Sequence, residues 1–265
     1  MKNYMERNLI NSIPENLPEE ITNFISGAKI YDSSSSPEAR VYFIDKGCGY
    51  FLKISSAGAL EREALMTEYF NKKGLSAKVV RYISAENDYL ITEKVAGEDM
   101  THGDYLSDPI RLCILLATKL RELHEIDFSD CPVTDRVGEY LALADKNYRD
   151  GSYDKSAFPN SFGYKCEADA RTALLFGRAK LKNEVLIHGD FCLPNVLLDG
   201  WELSGFIDLG NAGVGDRHID IFWGVWTLWF NLGTWDYTKL FLDTYGRDKI
   251  DMEKLKTVAA AEVFG

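Results

Sequence analysis

The chain has 265 residues, 46% hydrophobic and 27% charged, ordinary proportions for a globular protein of one large or two modest domains, and no apolar run is long enough to span a bilayer. Its net charge of −11 disfavours DNA or RNA as a partner, because phosphate binding needs clustered lysine and arginine, and suits a cationic ligand, although many acidic proteins are acidic for solubility alone. Cys48, Cys113, Cys131, Cys166 and Cys192 contain no C-x-x-C pair, and the first twenty residues carry no apolar h-region, so neither a zinc site, a disulfide framework nor a secretory signal is expected; the expectation is a cytoplasmic protein with reduced thiols and no membrane partner.

In chain order, Val41–Ile44 and Tyr50–Ile54 are rich in β-branched and aromatic residues and flank a glycine-bearing turn, which predicts a hairpin. A helix follows, with Leu65, Met66, Tyr69 and Phe70 at helical spacing and Gly74 as its stop. Val79–Ile83 and Tyr89–Glu93 predict a second hairpin. Ser107-Asp108-Pro109 opens a helix whose apolar stripe is Ile110, Cys113, Ile114, Ala117 and Leu120. Residues 149–168 carry several breakers and little periodicity, so a loop is expected; from Asp216 onward the chain is predicted helical. The expected class is α+β with two lobes, a small β-rich N-terminal lobe over residues 1–94 and a larger helical lobe over residues 95–265, with a ligand in the cleft between them.

The chemistry-bearing stretch is LIHGDFCLPNVLL, residues 186–198. His188-x-Asp190 is followed after four residues by Asn195, and eighteen residues after Asp190 comes Asp208 in GFIDLGNAG. This ordered set is the catalytic-loop and DFG-like pairing of the protein-kinase fold. Phosphoryl transfer needs Mg²⁺ against the nucleotide phosphates, for which an Asn oxygen and a carboxylate are suitable hard ligands, and one carboxylate beside the attacking hydroxyl. Asp190 takes the second role, while His188 is better read as a structural residue bonding backbone. The bland alternative is that Asp190 and Asn195 only cap turns. Lys53, inside the apolar strand YFLKI, needs a partner or a ligand; Glu63 on the next helix is the chosen partner and Glu61 the alternative. The loop SSSSPEARVY, residues 33–42, is the candidate for covering the phosphates through serine amides and hydroxyls, or else is a flexible polar loop.

On HGDFCLPNVLL, FIDLGNAG and LRELHEIDFSDCPV (residues 120–133), with YFLKI, EREALMTEYF and YLITEKVAGE in their expected places, the chain resembles the aminoglycoside O-phosphotransferases, most closely the 3'-phosphotransferase branch. That resemblance implies a two-lobed protein-kinase-like fold and an antibiotic-resistance kinase using ATP, with GTP as the alternative, and Mg²⁺. It implies Asp190 as catalytic carboxylate and Asn195 and Asp208 as Mg²⁺ ligands. Lys53, paired with Glu63, would contact the nucleotide phosphates, which Ser35 and Ser36 would cover. Phe51 would lie against the adenine, Thr92 to Lys94 would form a hinge on the base edge with Ile91 behind it, and Ile207 completes the nucleotide set. Glu262 and the terminal carboxylate near Phe264 would face a cationic sugar.

The chain departs from the family pattern in a loop poor in acids before His188, in Asn211 where an arginine is often seen, and in Ala261 where an acid is common. Trp223, Trp226 and Trp229 recur at steps of three near one helix face. Core packing is the simpler account of them; a wall for a sugar ring is the other, with Trp226 joining the substrate set. The departures allow another small hydroxyl-bearing antibiotic or metabolite as acceptor. A nucleotide-binding module without catalysis and a protein kinase are the remaining readings, the last lacking an A-P-E-like segment. Oligomeric state is not legible.

Overall fold

The computed structural model describes residues 8–11, 13, 16–34, 39–154 and 163–265. They fall into two units: residues 1–102 with 196–210, and residues 103–195 with 211–265.

In the first unit β1 (Asn8–Ile10), β2 (Lys29–Asp32), β3 (Arg40–Asp45), β4 (Tyr50–Ser56), β5 (Val79–Ser84) and β6 (Asn87–Glu93) form an antiparallel sheet in the order β1-β2-β3-β4-β6-β5. Two helices accompany it, α1 (Glu19–Ile25) and α2 (Glu61–Lys72). Both expected hairpins are present. Because side chains alternate across a strand, β4 divides cleanly: Leu52 and Ile54 join Tyr42, Ile44 and Ile91 in a buried core with Ile21 of α1, while Phe51 and Lys53 point to the opposite face. On that opposite face Leu60 and Ala64, at the start of α2, pack on Leu90, the register partner of Lys53. In α2 Met66, Tyr69 and Phe70 are buried as the periodicity requires, but Leu65 is 42% exposed.

β7 (Glu98–Asp99) pairs with β9 (Val196–Asp199), which pairs with β10 (Glu202–Phe206). Phe206 anchors this piece to the rest of the unit: its N–H donates to Leu75 O at 2.7 Å and its ring meets Phe70 edge-on at 6.3 Å. Gly97 makes the approach possible. Its φ is +81°, and a Cβ there would lie 1.8 Å from Leu198 O, so both the backbone conformation and the space demand glycine.

The second unit holds α3 (Gly103–Leu106), α4 (Pro109–His124), α5 (Arg136–Asp150), α6 (Glu167–Gly177), α7 (Arg217–Leu232), α8 (Thr238–Tyr245) and α9 (Met252–Glu262), with β8 (Val185–Ile187) paired to β11 (Gly213–Gly215). Asp108 caps α4 by accepting the Arg111 N–H at 3.2 Å. The buried stripe of α4 is Leu112, Cys113, Leu116, Ala117, Leu120 and Leu123; Ile110 and Ile114 are 58% and 41% exposed. The expected stripe shares three residues with the real one and is rotated from it, because Leu112, Leu116 and Leu123 support a second helical register equally well. The loop expected over 149–168 is entered by helix at both ends: α5 runs to Asp150, where Gly151 closes it in the left-handed conformation, and α6 starts at Glu167, while residues 155–162 lie outside the described residues. The helical C-terminal region is three helices. Among the described residues no helix is long and apolar enough to cross a membrane.

Candidate active site

The apolar runs flanking His188 to Asn195 belong to different sheets, since β8 pairs with β11 in the second unit and β9 with β10 in the first. Between them the backbone is pinned. Gly189 has φ +83° and a Cβ there would meet Asn211 O at 2.1 Å. Asp220, fully buried on α7, accepts the His188 N–H with Oδ2 and the Gly189 N–H with Oδ1, each at 2.7 Å. The Asp220 Oδ2 atom also meets His124 Nε2 at 3.1 Å, and His124 Nδ1 meets the Tyr245 hydroxyl at 2.8 Å. Burial holds the His124 imidazole below its ordinary value, against the pull of Asp220, so it is neutral near pH 7. His188 is buried and its Nδ1 accepts the Asp190 N–H at 3.3 Å, the backbone-bonding role its position suggested.

This anchor escaped sequence reasoning. Its one signal is an aspartate between Ile219 and Ile221 on an apolar helix, where an unpaired carboxylate is costly.

Asn195 is buried, and its Nδ2 donates to both Asp190 O and Asp190 Oδ2 at 3.0 Å. The amide's carbonyl oxygen is therefore turned the other way, as a hard ligand for a divalent cation requires. In the same unit Tyr140 donates its hydroxyl proton to Glu262 Oε1 at 2.8 Å. Burial, offset by the Tyr140 hydrogen bond, raised again by the Asp190 charge and offset by a Trp223 hydrogen bond, leaves the Glu262 carboxyl at about 7. Asp190, Glu262 and Trp223 thus form one neighbourhood.

Phe264 does not face a ligand with its side chain. It is fully buried, edge-on to Tyr148 and Tyr153 at 5.3 and 5.1 Å, and its carbonyl accepts from Asn147 Nδ2 at 2.9 Å. The ring therefore holds the end of α9 in the core, and the expectation drawn near it concerns the terminal carboxylate rather than the ring. The tryptophans divide: Trp223 packs against the buried cluster of this unit, as the simpler account has it, and the others extend away from it. The buried side of α7 is Ile219, Ile221, Gly224, Thr227 and Leu228, whereas Trp223, Trp226 and Trp229 are only partly buried. Trp226 meets Trp223 edge-on at 5.3 Å and stacks on Phe230 at 4.9 Å, and Trp229 stacks on Trp235 at 4.8 Å. Phe230 and Trp235 are 48% and 54% exposed, so the ladder reaches solvent.

In the first unit Lys53 Nζ lies 2.8 Å from Glu63 Oε2 and 2.8 Å from Asp208 Oδ1; Glu61 is exposed and takes no part. Burial alone would lower the Lys53 ammonium, but the Asp208 and Glu63 charges hold it well above its ordinary value. Burial raises Glu63, against Lys53. Asp208 is the single non-glycine residue with positive φ, at 57°, among the described residues. Such a conformation is uncommon for non-glycine residues and often marks a functional constraint. Its side chain is 51% exposed, so with Oδ1 on Lys53 the second oxygen is open to a cation. Among the described residues no three His, Cys, Asp or Glu side chains are grouped to hold a metal by themselves; the exposed Asp208 carboxylate is a hard oxygen donor of the kind that binds Mg²⁺ together with phosphate oxygens.

Phe51 packs on Phe43 at 5.3 Å, on the same sheet face as Lys53. The pleat corrects the expectation for Ile91. It is the register partner of Leu52 and is buried in the opposite core, so the side chain beside Phe51 is Thr92. The N–H groups of Glu93 and Lys94 already donate to Lys78 O and Gly49 O, both at 2.9 Å, so the first N–H beyond them is that of Val95. Ile207 is partly buried between Phe206 and Asp208. Ser35 and Ser36 lie outside the described residues; at the neck of that loop Ser33 N–H donates to Val41 O at 2.8 Å and Val41 N–H to Ser34 Oγ at 3.0 Å.

A family profile described as "Phosphotransferase enzyme family" matches residues 33–257. The chain is 49% identical over 252 residues to the probable aminoglycoside 3'-phosphotransferase of Lactococcus lactis subsp. lactis (strain IL1403), covering 95% of this chain and 96% of that protein. It is 30% identical over 241 residues to an aminoglycoside 3'-phosphotransferase of Escherichia coli, covering 87% and 84%. Two solved structures share the fold. One is aminoglycoside-3'-phosphotransferase of type VIII, with TM-score 0.79 and 24% identity over 93% of this chain and 97% of that one. The other is aminoglycoside phosphotransferase APH(3'')-Id from Streptomyces rimosus ATCC10970 in complex with ADP and streptomycin, with TM-score 0.71 and 21% identity over 85% and 90%. With its β-rich N-terminal lobe, its helical C-terminal lobe and a profile match over most of its length, the chain belongs to the aminoglycoside phosphotransferase family, close to the 3'-phosphotransferase branch, and is a phosphotransferase with an alcohol group as acceptor.

Proposed function

We propose that the protein transfers the γ-phosphoryl group of ATP, with GTP as the alternative donor, to the 3'-hydroxyl of an aminoglycoside. The observation that carries the donor half is the Lys53–Glu63–Asp208 ion cluster, with Asp208 held at positive φ. Residues 1–94 supply the nucleotide functions and residues 95–265 the catalytic and acceptor functions, with Asp208 contributed by the segment that rejoins the first unit. Lys53 neutralises phosphate charge and Glu63 orients it; Phe51 and Ile207 contact the base, and Thr92, in place of Ile91, lies behind it. The base edge is bonded along Thr92 to Lys94 and by the Val95 N–H. Ser35 and Ser36 cover the phosphates. Asn195 and Asp208 would hold Mg²⁺, which would supply neutralisation of the phosphate charge. Asp190 orients the acceptor hydroxyl and takes its proton. Glu262 binds an acceptor amine, and Trp226 walls the sugar. The acidic charge balance of the chain suits such a polycation.

One observation favours a second reading within the same chemistry. The aromatic ladder on α7 presents ring surface near Glu262, which suits a less polar hydroxyl acceptor. Purified protein with ATP, Mg²⁺ and a compound panel, read by mass detection, tests both. Phosphorylated aminoglycosides, absent when the 3'-hydroxyl is replaced by hydrogen, are the expected products; no aminoglycoside-dependent product would sink the first reading.

The raised Glu262 carboxyl adds a pH dependence. It is neutral in the free protein below about pH 7, whereas a bound ammonium favours the carboxylate. Binding a cationic acceptor therefore releases a proton, and each pH unit below about 7 should weaken that binding by up to about tenfold. The same shift makes the stability due to Glu262 complete below its ordinary value of 4.5 and lost as pH rises through about 7. Calorimetric titration of an aminoglycoside in buffers of different ionisation enthalpy should show the proton release in the wild type and its disappearance in Glu262→Gln.

A further inference from the structure

Asp190 has two carboxylate oxygens, and the structure engages them differently. Oδ2 accepts from the Asn195 amide at 3.0 Å, while Oδ1 lies 3.3 Å from Cys192 Sγ, with the thiol as donor. The thiol is fixed from both sides along the chain. Cys192 N–H donates to Asp190 O and Cys192 O accepts the Asn195 N–H, each at 2.9 Å. One residue on, Leu193 N–H donates to Thr227 Oγ1 of α7 at 3.1 Å, and Thr227 Oγ1 also accepts from Asn231 Nδ2 at 3.2 Å. Thr227 is buried, so the thiol is carried by a loop clamped to the helix that also carries Asp220.

We propose that Cys192 is a positioning residue for phosphoryl transfer, its S–H···Oδ1 contact holding the Asp190 carboxylate in the plane that meets the acceptor hydroxyl. The choice of donor has a chemical reason. A single neutral side-chain donor on Oδ1 fixes the orientation of the carboxylate while leaving it ionised and basic, and a thiol or a hydroxyl can supply it. Cys192 touches neither phosphate nor acceptor in this account; it acts through Asp190.

The inference rests on the catalytic role proposed for Asp190, and the experiment separates the two. Cys192→Ala, Cys192→Val and Cys192→Ser are compared with the wild type in single-turnover and steady-state assays with an accepted aminoglycoside, alongside Asp190→Ala. The alanine and valine variants should lose about three- to tenfold in kcat, the worth of one modest hydrogen bond, with KM for ATP and for the acceptor unchanged. The serine variant, which keeps a donor, should recover most of kcat. Valine fills the volume, so a packing role would be restored by Val and not by Ser. Wild-type kcat in the alanine variant, or a serine variant as slow as alanine, would overturn the assignment; an active Asp190→Ala would overturn the catalytic reading on which it stands.

Discussion

Asp190→Ala is expected to lower the rate of phosphoryl transfer by about 100- to 10,000-fold, the range for removing a positioned general base, while leaving nucleotide binding nearly unchanged. The expectation follows from how completely the loop is held without the carboxylate. The backbone on its N-terminal side is clamped by Asp220, and Asn195 Nδ2 keeps the bond to Asp190 O when the side chain is gone. The mutation therefore subtracts one functional group and leaves the loop in place. Single-turnover measurement with saturating acceptor reads the chemical step directly, and a variant within tenfold of wild type would remove Asp190 from the base role. Asp190→Asn keeps the shape and loses the basicity, so it should be nearly as slow.

The largest effect on stability is expected at Asp220. Replacement by alanine strands the N–H groups of His188 and Gly189 and the His124 ring nitrogen in the interior. Breaking a buried network in this way costs about 3–5 kcal/mol, against a total stability of about 5–15 kcal/mol for a native protein. For a chain of this size that corresponds to a fall in Tm of roughly 10 °C. Asp220→Asn retains one acceptor oxygen and should lose less. A thermal melt of the three proteins checks the order, and an alanine variant melting with the wild type would show that the carboxylate is not what holds the loop. The same variant should lose activity beyond its loss of folded protein, since the His188-Gly189 backbone sets the direction of Asp190.

Much of the candidate site was legible because local chemistry is unusual there. Lys53 in an apolar strand, and Asp190, Asn195 and Asp208 at fixed intervals, are recognisable from residue type and spacing, and both hairpins around Lys53 follow from alternation and glycine. What was missed depends on partners remote in sequence. The family resemblance places Ile91 behind the hinge, and only the register with Leu52 shows that its side chain turns to the opposite core. Asp220 shows locally only as an aspartate between two isoleucines, and that does not name its partners, which are 31 and 32 residues upstream on the loop and 96 upstream on α4. Aromatic content alone could not tell Phe264, fully buried, from Trp235, 54% exposed. The apolar stripe of α4 failed for a related reason, since a helix rich in leucine and isoleucine fits two registers and the packing partner chooses between them.

The return of residues 196–210 to the first unit also constrains the order in which the protein can be built. A ribosome releases the N-terminal sheet long before β9 and β10 exist, so Phe70 must wait for Phe206, and β7 for β9. Until then the nascent first unit carries an uncovered apolar face, the kind of surface that attracts chaperones during synthesis. A gene split after His102 would therefore yield an N-terminal half that lacks β9, β10 and the Phe206 contact.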